Sequence, residues 1–116
     1  MSDKVDPVEL SNRIIDTGNP EPPHNRVLDE LVEVEDEVAV VESFSHCWAI
    51  KTLEGLVCVD ASGTGSGENV VEALRGWSKD PIHSLVYTHG HLDHVGGSGA
   101  FIEDAEARSE KKPVVI

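Results

Sequence analysis

The segment Val86-Tyr87-Thr88-His89-Gly90-His91-Leu92-Asp93-His94-Val95-Gly96-Gly97 contains the most chemically informative side chains of this sequence. Three histidines and one aspartate occur within six residues of it, although the whole chain contains only 6 histidines. A short apolar run precedes them, as expected for a strand, and glycines that loosen the backbone follow. We interpret the segment as a loop that binds metal ions.

The spacing of these four side chains allows two neighbouring metal sites. In an extended backbone alternate side chains point the same way, so His89 and His91 can reach one ion together. Asp93 and His94 are adjacent, and a turn there can present an oxygen and a nitrogen to a second ion. Imidazole and carboxylate groups are common zinc ligands, and the loop has no cysteine that would favour a softer metal. The pattern therefore favours zinc in a hydrolytic site.

The remaining sequence indicates a mixed α/β domain. Two hairpins are predicted where apolar residues alternate around polar turns, at 31–41 and at 46–60. The second hairpin, with a tight turn at Glu54-Gly55, is expected to be largely buried. The other predicted elements are a capped helix over 6–18, a helix that ends near Trp77, a strand over 82–87, a short helix over 100–108 and a strand that begins at Pro113.

The quoted segment resembles the HxHxDH signature of the metallo-β-lactamase superfamily, including its preceding strand and its following small residues. Asp60-Ala61-Ser62-Gly63, at the end of an apolar strand, is similar to the Asp-Thr-Gly element of that family and departs from it mildly. The run from Val86 to His91, together with Trp48 and Trp77, resembles the bacterial branch related to alkyl sulfatases. The resemblance covers about residues 30 to 116.

This resemblance implies a role for each side chain of the loop. His89 and His91 would bind the first zinc ion, and Asp93 and His94 would bind the second. Asp93 would also orient the attacking water, which makes it the candidate catalytic residue. Asp60 would hold the loop by hydrogen bonds from behind the metal ligands. The implied reaction is attack of a metal-activated hydroxide on an ester-like bond of a small molecule, with a sulfate ester favoured by the branch resemblance.

The fold implied by the family is an αββα sandwich, of which this chain supplies the N-terminal half. We divide the sequence into a lead-in over 1–29, with the short helix and a proline-rich segment, and half of a metallo-β-lactamase domain over 30–116. The family completes its two-zinc site with histidines and an aspartate downstream of the loop. After His94 this sequence has no histidine or cysteine, and its later carboxylates all lie between 103 and 110. The chain alone is therefore not expected to complete a dinuclear site.

Three hypotheses remain open for a chain with half of this site. We favour a fragment of an active hydrolase. In the second hypothesis, the chain is a small protein that pairs with a second copy or with a complementing C-terminal half. This hypothesis predicts an exposed apolar sheet edge or face. The third hypothesis is a non-catalytic metal-binding module. An iron-dependent oxidoreductase of the same fold is disfavoured, since those relatives usually place a glutamate where His91 stands.

The composition argues against several other kinds of partner. Acidic residues number 22 against 9 basic residues, and the formal net charge of -13 is spread along the chain. Such a surface repels phosphate groups, so we expect neither nucleic acid nor membranes as partners. The N-terminus has no apolar stretch typical of a signal peptide, and no run approaches the length of a membrane span. Cys47 and Cys58 are expected to be buried thiols, and the chain is predicted to be cytoplasmic.

Other side chains that could carry chemistry are assigned structural roles. Trp48 and Trp77 fall on apolar faces and are predicted to be core residues. The triplet Asp16-Thr17-Gly18 matches the Asp-Thr-Gly of the family, but no apolar strand precedes it, so it is predicted to end a helix. The histidines outside the loop are predicted to be structural, surface or solvated side chains: His24, His46 and His83.

Overall fold

The structure is a computed structural model that describes residues 5–20 and 26–116. Four helices and six strands make up the described part of the chain. In chain order they are α1 (Pro7–Thr17), β1 (Glu30–Glu35), β2 (Val38–Glu42), β3 (Cys47–Thr52), β4 (Gly55–Val59), α2 (Gly67–Trp77), β5 (Ile82–Val86), α3 (Leu92–Val95), α4 (Ser98–Ala107) and β6 (Val114–Val115). His24 and most of the predicted proline-rich segment lie outside the described residues.

All six strands form one sheet, in the order in which they occur in the sequence. Strands β1 to β4 are antiparallel neighbours joined by short connections, as the two predicted hairpins require. From β4 onward the neighbours are parallel, because α2 and α4 carry the chain back across the sheet before β5 and β6. This mixed arrangement confirms the predicted α/β class.

Helix α1 has the ends that its sequence predicts. The Asp6 carboxylate accepts hydrogen bonds from the backbone N–H groups of Val8, at 2.9 Å, and Glu9, at 3.3 Å, and Pro7 occupies the first turn. Gly18 ends the helix in a left-handed conformation with φ of 66°, which glycine adopts without steric cost. The triplet that ends at Gly18 is thus a helix end, as predicted.

The core lies between one face of the sheet and helices α2 and α4. Alternate residues of the central strands point into it, and its fully buried side chains include Leu56 and Leu85 from the sheet, Leu74 from α2 and Phe101 from α4. Trp77 is partly buried against this cluster. The predicted packing of Trp77 on an apolar face is confirmed.

Trp48 is not a core residue, so that prediction is wrong. Its neighbours Cys47 and Ala49 point into the core, and the two-residue period of a strand turns Trp48 and Ile50 to the opposite face. There the two side chains remain 40% and 38% exposed, so the second hairpin is fully buried on one face only. Helix α1 lies over part of this face, and the two together line a cavity of about 430 Å³.

Cys47 and Cys58 are both unpaired and fully buried, as predicted. A hydrogen bond with the Cys58 side chain, together with burial, raises the pKa of the Cys47 thiol well above its ordinary value. The thiolate is the reactive form of cysteine, so a thiol held protonated reacts poorly. The two sulfurs therefore act as small apolar groups of the core.

The described elements make a layer of strands and a layer of helices. The helical layer consists of α2 and α4 on one face of the sheet, whereas the other face carries α1 and the exposed side chains of β3. None of the helices in residues 5–20 and 26–116 is long and apolar enough to cross a membrane. The division into a lead-in over 1–29 and a half-domain over 30–116 stays a prediction.

The second hairpin offers a matched pair of substitutions that tests this packing. Leu56 is fully buried in β4, whereas Leu53, in the turn before it, is fully exposed. We expect Leu56→Ala to lower the free energy of unfolding by about 2–5 kcal/mol, because it removes buried methyl groups and leaves a cavity. Leu53→Ala should change it by less than about 0.5 kcal/mol. Urea unfolding followed by circular dichroism measures both, and equal losses would contradict the register of this hairpin.

Candidate metal centre

The strand order brings three connecting segments together at one edge of the sheet. Strands β2, β4 and β5 run in the same direction, so the segments that follow them begin at the same edge. These segments are 43–46, 60–66 and 87–91, and the last of them continues directly into α3. The histidine loop is the last of the three, and it is therefore positioned by the other two.

Asp60 is the central residue of this edge. It directly follows β4, has a left-handed backbone with φ of 66° and is 5% exposed. Its Oδ1 accepts a hydrogen bond from the Thr88 backbone N–H at 2.8 Å, and its Oδ2 accepts one from the Thr88 hydroxyl at 2.8 Å. His94 Nδ1 lies 2.7 Å from the same Oδ2. Both ends of the histidine loop are thus tied to one carboxylate.

The surroundings of Asp60 have two opposing effects on its ionisation. Burial by itself raises the pKa of the carboxyl, because it disfavours the charged form. Hydrogen bonds from the Thr88 N–H, the His94 ring and the Thr88 hydroxyl, together with the charge of a protonated His94, outweigh burial and lower the pKa of Asp60 below its ordinary value. Asp60 is therefore a carboxylate at neutral pH and accepts hydrogen bonds only.

The four predicted metal ligands lie together at this edge. The ring centres of His89 and His91 are 4.6 Å apart, and those of His89 and His94 are 4.1 Å apart. His94 Nε2 lies 3.5 Å from Asp93 Oδ2. His89 and His91 are exposed, whereas Asp93 and His94 are half-buried. The fold therefore keeps in one cluster the side chains that the sequence places in one segment.

The short helix α3 is absent from the sequence prediction, although it shapes the loop. It begins directly after His91, whose carbonyl oxygen accepts a hydrogen bond from the Val95 N–H at 3.1 Å. The backbone bends at Thr88 and His89, so the extended segment expected for the first two ligands is not present. A bend and one helical turn, rather than strand alternation, bring the imidazole rings together.

The glycines after the loop allow two segments to pack backbone to backbone. A Cβ atom on Gly97 would clash with the Ala61 carbonyl oxygen, and one on Gly96 would lie 2.6 Å from Thr64 Oγ1. The Gly97 N–H also donates a hydrogen bond to the Ser62 carbonyl oxygen at 3.0 Å. The Gly-Gly pair is therefore required by the close approach of the turn after β4 to the histidine loop.

The donor set fits zinc in residue type, but the donors do not converge on one point. Imidazole nitrogens and carboxylate oxygens are suitable zinc ligands, and a catalytic zinc uses about three of them. Within residues 5–20 and 26–116, no group of three or more His, Cys, Asp or Glu side chains is arranged to hold a metal ion. His89 and His91 are exposed, so their rings have room to rotate. Ligation of zinc at this loop therefore requires rotation of these rings.

Buried serines connect the segment after β2 to His94, and the sequence prediction missed them. Ser45 Oγ lies 3.1 Å from Nδ1 and 3.2 Å from Nε2 of the His94 ring. The Ser45 N–H donates to Ser62 Oγ at 3.3 Å, and the Ser62 hydroxyl donates to Ser43 Oγ at 3.0 Å. The signal that points to these serines is the strand order, since the segment after β2 ends at the same edge as the loop.

Of the other histidines in the described residues, His46 approaches the cluster and His83 does not. His46 and Trp48 line a cavity of about 340 Å³ that also contains His94. His83 lies at the edge of the sheet where β4 and β5 begin, with its Nε2 3.8 Å from a carboxylate oxygen of Glu54. His83 is therefore a surface side chain, as predicted, whereas His46 lines the candidate site.

The sequence model that matches this chain is that of the metallo-beta-lactamase superfamily, over residues 31–113. This stretch is most of the chain and includes both Asp60 and the histidine loop. The chain belongs to the metallo-beta-lactamase superfamily. The family predicted from the loop is confirmed.

Known proteins of this kind are similar to the chain over part of their length. The linear primary-alkylsulfatase of Pseudomonas sp. is 36% identical over 61 residues, which are 52% of this chain and 12% of that protein. The stereoselective inverting sec-alkylsulfatase from Pseudomonas sp. superposes with a TM-score of 0.55 and 31% identity, over 74% of this chain and 14% of its own. The subclass B3 metallo-beta-lactamase of Bradyrhizobium japonicum superposes with a TM-score of 0.61 and 21% identity, over 76% of this chain and 34% of its own.

These coverages define how much of the fold is present. The chain spans about a third or less of each of the three proteins. The part of this chain that superposes on a metallo-beta-lactamase makes up 76% of its residues. The predicted αββα superfamily fold, present here in part, is confirmed.

The ionisation of Asp60 makes its contribution to stability depend on pH. Asp60→Asn should lower the free energy of unfolding by about 2 kcal/mol at neutral pH, because it weakens hydrogen bonds from Thr88 and His94 that a charged acceptor strengthens. Folding lowers the pKa of Asp60. The contribution is therefore present above the ordinary carboxyl pKa of about 3.9 and is lost as the pH falls through the lower folded value. Urea unfolding in chelator-treated buffer, at neutral and acidic pH, measures the difference.

Asp36→Asn is the matched control for this measurement. Asp36 is an exposed carboxylate in the turn between β1 and β2, so its substitution should leave the stability unchanged at both pH values. The difference in the free energy of unfolding between the parent and Asp60→Asn should shrink at acidic pH. A difference that stays constant down to the lowest pH at which the parent folds would contradict the stabilisation by an ionised Asp60.

Proposed function

We propose that this chain carries part of the active site of a zinc-dependent hydrolase that cleaves ester-like bonds in small molecules. One observation carries the proposal: the Asp60 carboxylate holds a loop in which three imidazole rings and a second carboxylate cluster. His89 and His91 would hold a first zinc ion, and Asp93 and His94 a second. Bound zinc supplies Lewis acidity and lowers the pKa of a coordinated water toward neutrality.

Hydrogen bonds decide which nitrogen of each imidazole is available as a ligand. Asp60 is ionised and cannot donate, so His94 Nδ1 carries the proton of their hydrogen bond and Nε2 keeps its lone pair. The Thr88 hydroxyl donates its proton to Asp60 and therefore accepts one from His89 Nδ1, 2.8 Å away. The same carboxylate thus prepares both imidazoles to ligate through Nε2, the kind of outer support that metal-binding histidines have.

Asp93 has a second proposed role beside its role as a ligand. Its side chain is 40% exposed and lies next to His94 Nε2. One carboxylate oxygen can ligate while the other accepts a hydrogen bond from a water molecule and orients it for attack. Asp93 is therefore the proposed catalytic residue of this part of the site.

The rest of the site is proposed to come from a second half-domain. The chain spans about a third or less of the compared proteins, and its described residues leave Trp48 and Ile50 exposed on one face of the sheet. An exposed apolar face of this kind is suited to packing against another layer. We favour a continuation of the same polypeptide as that half, and a second copy or a separate complementing chain is the alternative.

A sulfate ester is the favoured substrate, and the cytoplasm is the favoured location. The two alkylsulfatases are 36% and 31% identical to this chain where they match, against 21% for the β-lactamase. The two unpaired, buried cysteines support a reducing compartment, in which structural disulfides are rare. The acidic net charge supports a small-molecule substrate over nucleic acid or an anionic membrane.

A non-catalytic metal-binding module is the second candidate function. The observation that favours it is that the loop carries four candidate donors, which are enough for one zinc ion but too few for a two-zinc site. Such a module would bind zinc through the loop and would show no turnover. The two candidates therefore share the metal-binding prediction and differ in hydrolysis.

Zinc affinity tests the part that both candidates share. His91→Ala should weaken zinc binding by about tenfold or more, because it removes a proposed ligand. His83→Ala is the matched control, since His83 is also an exposed histidine but lies at the other edge of the sheet. Competition with a chromophoric chelator measures both affinities. Equal zinc affinities of the parent and of His91→Ala would show that His91 is not a zinc ligand and would contradict a metal site in this loop.

Hydrolysis of an aryl sulfate separates the two candidates once the zinc-loaded chain is combined with the continuation or complementing chain that completes its site. Turnover that disappears in Asp93→Asn, with zinc still bound, supports the hydrolase and the role of Asp93. Stoichiometric zinc binding with no turnover by this completed protein supports the module.

A further inference from the structure

The imidazole of His46 is held by a hydrogen bond of the opposite sense to those of His89 and His94. Its Nδ1 accepts a hydrogen bond from the Ser43 backbone N–H at 3.2 Å. A backbone N–H can only donate, so this nitrogen uses its lone pair and carries no proton. In the neutral ring the proton therefore lies on Nε2. His46 thus presents an N–H group at Nε2, where His94 presents a lone pair.

This hydrogen bond argues against His46 as a further zinc ligand. A metal-binding imidazole ligates through the lone pair of one nitrogen and donates the proton of the other to a carboxylate, a carbonyl oxygen or water. The other nitrogen of His46 faces a donor instead. Ligation through Nε2 would move the proton onto Nδ1, against the Ser43 N–H, and ligation through Nδ1 would break the bond. His46 is therefore suited to donate a hydrogen bond.

His46 is placed to contact a molecule that binds beside the histidine loop. It precedes β3, at the edge of the sheet where the loop lies. Its side chain is half-buried and lines the cavity that contains His94. The walls of this cavity are mainly apolar and include Phe44, Trp48 and Val59. A hydrogen bond beside apolar groups is stronger than one in bulk water, so a single donor here has a measurable effect on binding.

Most other donors of this cavity are already used inside the protein. The N–H and the hydroxyl of Thr88 donate to Asp60, and so does Nδ1 of His94. None of the described residues that line the cavity is a lysine or an arginine. The donors left for a ligand are therefore uncharged, and they belong to the segment around His46.

Three side chains of that segment have a donor that is free, and only one of them is fixed. Ser45 Oγ lies against the His94 ring, 3.1 Å from Nδ1 and 3.2 Å from Nε2. Trp48 is 40% exposed, and no hydrogen bond to another described residue fixes its indole ring. His46 is anchored by the Ser43 backbone, and its Nε2 has no partner among the described residues. A donor that is fixed before the ligand arrives needs no reorganisation to act.

We propose that the Nε2–H of His46 donates a hydrogen bond to an oxygen atom of the ester group while that group lies at the histidine loop. This rests on the proposed hydrolase function and adds a substrate-contacting residue from outside the loop. The chain, with a formal net charge of -13, offers little attraction to a negatively charged group, so a fixed N–H donor is needed there. His46 acts as a neutral donor and transfers no proton.

Imidazole ¹H–¹⁵N spectra of the metal-free chain test the two tautomers directly. In mildly alkaline buffer, where imidazole is neutral, the protonated nitrogen should be Nε2 in His46 and Nδ1 in His94. Added zinc should shift the Nε2 signal of His94 and leave both nitrogen signals of His46 in place. A proton on Nδ1 of His46, or a zinc-dependent shift of its Nε2, would contradict the proposal.

Two substitutions separate the donor role of His46 from a purely structural role. In His46→Asn, the amide oxygen can take the position of Nδ1 and accept the Ser43 N–H, but no group reaches the position of Nε2. In His46→Gln, the amide N–H reaches the position of Nε2, but the Ser43 N–H loses its acceptor. The two roles therefore predict opposite orders for these variants.

Inorganic sulfate is the probe, because its oxygens only accept hydrogen bonds at neutral pH. Its affinity for the chain, measured by NMR titration at constant ionic strength with and without zinc, should fall about tenfold in His46→Asn. In His46→Gln it should stay within about twofold of the parent value. Urea unfolding should show the reverse order, with His46→Gln the less stable variant. His83→Asn is the matched control and should change neither quantity, since His83 lies at the other edge of the sheet.

Two results would overturn the proposal: sulfate affinity that is kept in His46→Asn and lost in His46→Gln, or no saturable sulfate binding by the parent. Zinc titration of the same samples separates the donor from the proposed function. A selective loss of sulfate affinity in His46→Asn, without zinc binding by the parent, supports the donor and overturns the hydrolase. Zinc binding with equal sulfate affinities of the parent and His46→Asn supports the hydrolase and overturns the donor.

Discussion

The carboxylate of Asp60 is the interaction on which the candidate site depends. A buried charge is costly unless hydrogen bonds satisfy it, and here both oxygens accept them, from the N–H and hydroxyl of Thr88 and from His94. These bonds hold the beginning and the end of the histidine loop against the end of β4. They also decide which nitrogens of His89 and His94 keep a lone pair. The buried charge of Asp60 therefore both holds the loop at the end of β4 and orients the imidazole rings proposed to bind metal.

The order of the strands places Asp60 and the histidine loop at the same edge of the sheet. The antiparallel hairpins are local, but the crossover through α2 makes β5 parallel to β4 and brings the loop to the same edge as Asp60. The close approach of Gly97 to Ala61 then locks the two connecting segments together. Cavities open beside His94 and beside Asp93, and Phe44 lines both of them.

Local signals in the sequence predicted most of the elements. Asp6 and Gly18 define both ends of α1, and two-residue alternation defines the hairpins. The signals failed where a distant part of the chain decides the outcome. Alternation shows that Trp48 and Ala49 face opposite sides, but it does not show which side the helices cover. Helix α3, with 4 residues, is too short to show a helical period.

The sequence by itself determined the superfamily and the cluster of candidate ligands, because the spacing from His89 to His94 lies within one short segment and needs no tertiary contact to be recognised. Only the tertiary structure decided what surrounds that segment. Ser45 contacts His94, and His46 and Trp48 line the cavity that contains His94. Hydrophobic period and turn signals are local along the chain, whereas the neighbours of a loop depend on strand order, which brings together residues that are far apart in sequence.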